Sequence, residues 1–123
     1  MIHNNSFLDL VKDALSRVKE LDVHQLNNKI QNKEEIFIVD TREDREWVQG
    51  RIPHSIHIGK GVIERDIENT IPHKEANIIL YCQGGFRSAL AADNLLKMGY
   101  INPYSLSGGF GDWLNNGFSI EKD

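Results

Sequence analysis

Cysteine is nearly missing from this chain: Cys82 is the only one among 123 residues. A lone cysteine excludes an internal disulfide. It also excludes a cysteine-rich zinc site, which draws on paired cysteines or Cys/His pairs at set spacings. The five histidines are scattered, and only His54 and His57 lie close together, with no further ligand near in sequence. Neither a metal nor a cofactor is therefore expected. Basic charge is scarce as well, with 14 lysines and arginines against 18 acids and a net charge of −4. Nucleic-acid binders usually carry a basic face, whereas Arg42 to Arg45 is interleaved with acids and Arg87 is isolated, so no nucleic-acid partner is expected. Long apolar runs are missing too. The longest, Ile78-Ile79-Leu80-Tyr81-Cys82, falls far short of the ~20 residues of a membrane helix. The start, Met1-Ile2-His3-Asn4-Asn5, has neither the basic opening nor the apolar stretch of a secretory signal, which leads to the expectation of a cytoplasmic protein with no membrane partner.

What is present is ordinary globular material, 40% hydrophobic and 26% charged. A chain of this length forms one domain and buries roughly two thirds of its unfolded surface. From Ser6 onward Phe7, Val11, Ala14, Val18 and Leu21 recur at three- and four-residue steps, predicting an amphipathic helix capped by Ser6 with Asp9 in its first turn. Asp22 and Gln25 form a second capping signal for a short helix through Leu26 and Ile30. Ile36 to Val39 reads as a strand buried on both faces, ending at Asp40, and Ile78 to Tyr81 as another. Between them, Glu43 to Gln49 is helical up to Gly50, Ser55 to Ile58 alternates like a strand, and Gly61 to Asn69 is a further helix. Ser88 to Met98 is helical with Gly99 as its stop, Tyr104 to Leu106 is a short strand, and Phe110 to Leu114 forms a last helical turn. Strands alternating with helices predict an α/β fold with a parallel sheet.

The chemistry concentrates after the second buried strand, which delivers Cys82 into the loop Cys82-Gln83-Gly84-Gly85-Phe86-Arg87 ahead of a helix at Ser88. In open parallel sheets ligands bind beyond the carboxyl ends of strands, where Asp40 and Cys82 both fall. Gly84 and Gly85 let the loop turn successive N–H groups inward, making an anion-binding concavity at a helix start. That setting, with Arg87 adjacent, favours the thiolate, which is the nucleophilic form. The plain alternative is a cysteine acting as a small core hydrophobe at a strand end. Phe86 is the loop's large apolar side chain, either an exposed rim for a partner or folded inward. Trp47 and Trp113 read as core aromatics.

These residues resemble the rhodanese-like sulfurtransferases. The likeness rests on Val39-Asp40-Thr41-Arg42-Glu43, on Glu46-Trp47 with Gly50-x-Ile52-Pro53, on Cys82-x-x-Gly85-x-Arg87-Ser88, and on Gly108-Gly109-Phe110 ahead of Trp113. It implies a three-layer α/β domain over residues 22–123, with a mostly parallel central sheet flanked by helices; residues 1–21, read above from their periodicity as an amphipathic helical extension, lie outside the motifs. It further implies that Cys82 takes a sulfane sulfur as a persulfide from thiosulfate or a related persulfide donor, with cyanide, a thiol or a sulfur-carrier protein as acceptor. Gln83, Gly84, Gly85, Phe86, Arg87 and Ser88 then form the substrate-binding loop. Asp40 and Arg42 are implied to support the site, the guanidinium pairing with an acid such as Glu46. The chain departs from the family pattern where Gly50-Arg51-Ile52-Pro53-His54-Ser55 stands for the usual glycine-histidine-isoleucine-proline-glycine-alanine. His54 replaces a glycine, so that turn must admit a side chain. Two rival readings remain: a non-catalytic binding module on the same fold, and a phosphatase or arsenate reductase. The latter group uses a longer loop with its arginine one residue further on, where this chain has Ser88.

Overall fold

A computed structural model describes residues 3–123, and the part of the expected N-terminal extension made of Met1 and Ile2 lies outside the described residues. Its elements run α1 (Asn5–Leu15), β1 (Lys19–Leu21), α2 (Val23–Gln31), β2 (Phe37–Asp40), α3 (Asp44–Gln49), β3 (Ser55–His57), α4 (Ile63–Thr70), β4 (Ile78–Tyr81), α5 (Phe86–Lys97), β5 (Pro103–Leu106) and α6 (Gly109–Asn115). The five strands form one sheet in the order β1-β5-β4-β2-β3. Every pairing is parallel, so each connection crosses over through a helix or a longer loop.

Period-two alternation in the strands divides the core between the two faces of the sheet. Val39, Ile78 and Leu80 point into one layer with Ile63 and Ile67 of α4 and Ala91, Ala92 and Leu95 of α5. Ile38, Ile79, Tyr81 and Leu106 point into the other with Val23 and Leu26 of α2 and Phe110 and Trp113 of α6. The result is a three-layer α/β fold whose central strand, β4, is buried at every residue. β2 is less enclosed than its sequence suggests: Ile38 and Val39 are buried, but Phe37 is 39% exposed near the strand's start.

The capping box at α2 forms as its residues dictate, with Asp22 Oδ1 accepting from Gln25 N at 2.9 Å and Gln25 Oε1 accepting from Asp22 N at 2.8 Å. The N-terminal helix is shorter than expected. It begins at Asn5 rather than being capped by Ser6, Asn4 occupies the cap position without a side-chain bond, and it ends at Leu15. Ser16 Oγ donates to Asp13 O there, and the chain then straightens into β1, whose register against β5 pairs Leu21 with Leu106. Residues 1–21 are thus not wholly helical: their last three join the sheet as an edge strand. α1 itself packs on α5, buries Val11 and Ala14, and is pinned by Arg17, whose Nε and Nη2 donate to Asp93 at 2.8 Å each. Among the described residues no helix is long and apolar enough to cross a membrane.

Candidate active site

Cys82 follows β4 directly, at the carboxyl end of the middle strand. Thr41, just past the neighbouring end of β2, ties the two strand ends together: its N and Oγ1 both donate to Tyr81 O at 2.9 Å. The Cys82 side chain is buried at 1% exposure. Its sulfur accepts from Gly85 N at 3.2 Å and from Ser88 N at 3.4 Å, while the thiol reaches Ser88 Oγ at 3.5 Å. Ser88 Oγ in turn lies 2.8 Å from Ser105 Oγ on β5, and Ser105 can donate to Gly85 O at 3.4 Å. When the thiol ionises, the Ser88 hydroxyl can turn to donate to sulfur while accepting a hydrogen bond from Ser105 Oγ, so the thiolate has three donors, the Gly85 and Ser88 amides and the Ser88 hydroxyl.

α5 begins at Phe86, earlier than the expected Ser88, so Phe86 and Arg87 belong to its first turn, where amides have no intrahelical acceptor. Gly85, at φ 100°, makes the turn into the helix, and a Cβ there would stand 3.2 Å from Leu106 O. On the far side α6 grips the loop's carbonyls. Phe110 N donates to Cys82 O at 2.8 Å and Gly111 N to Gln83 O at 3.0 Å. Because each peptide is planar and trans, carbonyls aimed at α6 send the N–H groups of Gln83 and Gly84 away from it. Gly109 makes this grip possible: at φ 55°, it presses its Cα so close that a Cβ would collide with Cys82 O and stand 2.7 Å from Gln83 O.

The loop residues separate into two groups. Gly85 and Ser88 are buried behind the sulfur, whereas Gln83, Gly84, Phe86 and Arg87 line the cavity in front of it. Arg87 is engaged by Glu46 of α3, with Nη1 to Oε1 at 3.0 Å and Nη2 to Oε2 at 3.3 Å. Burial works against the Glu46 charge, but the Arg87 hydrogen bond outweighs it with help from the backbone and nearby cations, and holds its carboxyl below the ordinary range. Glu46 is therefore not the partner of Arg42. That guanidinium turns inward to Asp40, with Nη2 to Oδ2 at 2.7 Å, and also donates to Gly50 O at 2.6 Å, sitting 4.3 Å over the Phe110 ring. Asp40 and Arg42 form a buried pair and do not themselves line the sulfur cavity.

Other sequence expectations are redrawn. Trp113 is buried in the core, but Trp47 is half-buried, stacked on His57 with ring centroids 5.0 Å apart and covered by Arg51 at 4.4 Å. His54 adopts φ 69°, the left-handed turn that its replacement of glycine requires. Phe86 packs against His3 (5.0 Å) and Phe7 (6.2 Å) from the N-terminal segment. Sequence reasoning missed three contributors: Ser105, Glu46 as the partner of Arg87, and the His3/Phe7 pair. Among the described residues no group of three or more His, Cys, Asp or Glu side chains is placed to hold a metal ion.

Residues 22–116 match the family model of the rhodanese-like domain, and the chain belongs to that family. It is 31% identical over 103 residues to a sulfurtransferase of Allochromatium vinosum, spanning 84% of this chain and 94% of that one. It is 30% identical over 81 residues to the thiosulfate sulfurtransferase GlpE of Coxiella burnetii, spanning 66% and 74% respectively. Among solved structures, a Rhodopseudomonas palustris protein of unknown function, described as a "Possible Tyrosine Phosphatase", superposes with a TM-score of 0.85 at 29% identity over 98% of both chains.

Proposed function

We propose that this protein is a sulfurtransferase in which Cys82 carries the sulfur. The observation that carries the reading is the sulfur's own coordination: Sγ accepts the Gly85 and Ser88 amides and contacts the Ser88 hydroxyl, a set of donors suited to an anionic sulfur. The thiolate attacks the outer sulfur of thiosulfate or a related persulfide donor. The donor's S–S bond breaks, its electron pair leaves with sulfite or the parent thiolate, and a negatively charged cysteine persulfide remains. The acceptor, whether cyanide, a thiol or a sulfur-carrier protein, then attacks the terminal sulfur and Cys82 leaves as thiolate. With a single cysteine in the chain no neighbour can resolve the persulfide into an internal disulfide, so the sulfur goes to an external acceptor. The sulfurtransferases among its relatives support the class of reaction.

Intact-mass spectrometry of the reduced protein after incubation with thiosulfate tests this. A gain of one sulfur atom that is absent in Cys82→Ser and removed by cyanide is the expected result. No gain from thiosulfate or from a glutathione persulfide donor would put the non-catalytic binding module in first place. A phosphatase is the weaker alternative, because Arg87 comes one position early for a loop that wraps a tetrahedral phosphate, and its guanidinium is already held by Glu46.

A further inference from the structure

Cys82 opens into a cavity of about 560 Å³ that also takes in His3, Phe7, Phe86, Arg87, Arg45 and Glu46. The loop amides can hold one negative charge, but two further features of that cavity favour a donor of lower charge than a small inorganic dianion. The first is charge: the arginines are each matched by an acid, Arg87 by Glu46 at 3.0 Å and Arg45 by Glu43 at 3.2 Å, which leaves no uncompensated guanidinium for a second negative charge. The second is the opposite wall. His3, Phe7 and Phe86 form a mutually packed aromatic trio, with centroids 5.0 to 6.2 Å apart and edge-to-face or tilted rings. Phe7 and His3 come from a segment that precedes the residues matched by the family model, 22–116, and it is held over the loop by the Val11 and Ala14 packing of α1 and by the Arg17–Asp93 pair.

We infer that this aromatic wall is a specificity-determining subsite, and that the sulfur substrate it takes is an organic sulfane-sulfur compound of low charge with an apolar body, the wall covering that body while Cys82 attacks the terminal sulfur. The inference rests on the sulfurtransferase reading and narrows its substrate class. A half-buried aromatic wall discriminates because contact with an apolar body is regained in the transition state, whereas thiosulfate has nothing to lay against it.

The test compares two donors that undergo the same step. Thiosulfate loses sulfite and benzenethiosulfonate loses benzenesulfinate, each leaving the same persulfide on Cys82, and cyanide then releases thiocyanate in both cases. The readout is the ratio of kcat/KM for the aryl donor to that for thiosulfate. Phe7→Ala and His3→Ala are each expected to lower this ratio by roughly five- to ten-fold, the scale of one aromatic contact. His3 lies ahead of α1, so its variant keeps the test available if Phe7→Ala disturbs the helix. An unchanged ratio in both variants, or equal losses on both donors, overturns the wall as a subsite while leaving sulfur transfer intact. Absence of transfer from both donors in the unmodified protein overturns the sulfurtransferase reading and this inference with it.

Discussion

Glu46 and Arg87 face one another across the mouth of the sulfur cavity, the carboxylate accepting from both terminal guanidinium nitrogens at 3.0 and 3.3 Å. The pair joins α3 to the first turn of α5, so the loop's own arginine serves as a strut between two helices. The Arg87 and Glu46 side chains remain 33% and 25% exposed, respectively, which places the pair in the range where solvent weakens an ion pair but does not abolish it.

Releasing that arginine should therefore improve the use of an anionic donor. Glu46→Gln is expected to raise kcat/KM for thiosulfate about five-fold, equivalent to about 1 kcal/mol of recovered attraction, and the gain should shrink as salt is added. Steady-state thiocyanate formation at two ionic strengths measures it. A fall in thiosulfate use would mean that Arg87 needs Glu46 to hold it in position.

Cys82→Ser should abolish sulfur loading while costing no more than about 1 kcal/mol of stability, since the replacement nearly preserves volume and its hydroxyl can use the Gly85 and Ser88 amides. Urea unfolding together with the loading assay separates the two effects. Turnover that survived this substitution would remove the persulfide from the mechanism.

Gly109→Ala is expected to be as damaging to transfer as a change within the loop, although the residue lies outside it. Its Cβ would strike the Cys82 carbonyl, and φ 55° itself disfavours any other residue by about 1 kcal/mol. Loading by mass spectrometry should fall by more than ten-fold, with a lowered urea midpoint.

The Arg17–Asp93 anchor of α1 gives a pH dependence with a definite sign. Hydrogen bonding and charge attraction from Arg17 outweigh burial and hold the Asp93 carboxyl below its ordinary value of 3.8. A carboxyl depressed in the folded state stabilises the fold above that ordinary value, and this contribution is lost as pH falls through the lower folded one. Asp93→Asn should accordingly lower the urea midpoint at neutral pH, and the gap to the unmodified protein should close below pH 3.8. A gap that stayed constant with pH would show that charge at Asp93 is not what holds the helix.

Four of the five strands, most of the helices and the cysteine loop were legible because local pattern and tertiary outcome agree there: Asp22 and Gln25 cap what they promise to cap, and Ile78 to Tyr81 is buried as its composition demands. The misreadings have physical causes. Val18 and Leu21 continue a helical spacing, yet Leu21 is claimed by a strand partner at Leu106, far along the chain. Arg42 and Glu46 are spaced as a helical ion pair, but Arg42 precedes α3 and finds Asp40 two residues back, leaving Glu46 for an arginine 41 positions away. Ser105 and the His3/Phe7 wall reach the site only through the folding of distant segments, which no short window of sequence encodes.

The strand order has a consequence for how the molecule is made. Of the five described strands β1 is made first, but its sheet neighbour is β5, made last. The helix before it likewise waits for α5. Such long-range closures slow folding, so during synthesis the nascent sheet can grow from β2, β3 and β4 while the first segment stays undocked. The lining that this segment gives to the sulfur cavity docks on α5, so it can be assembled only once residues up to Asp93 have emerged, later than β2, β3 and β4.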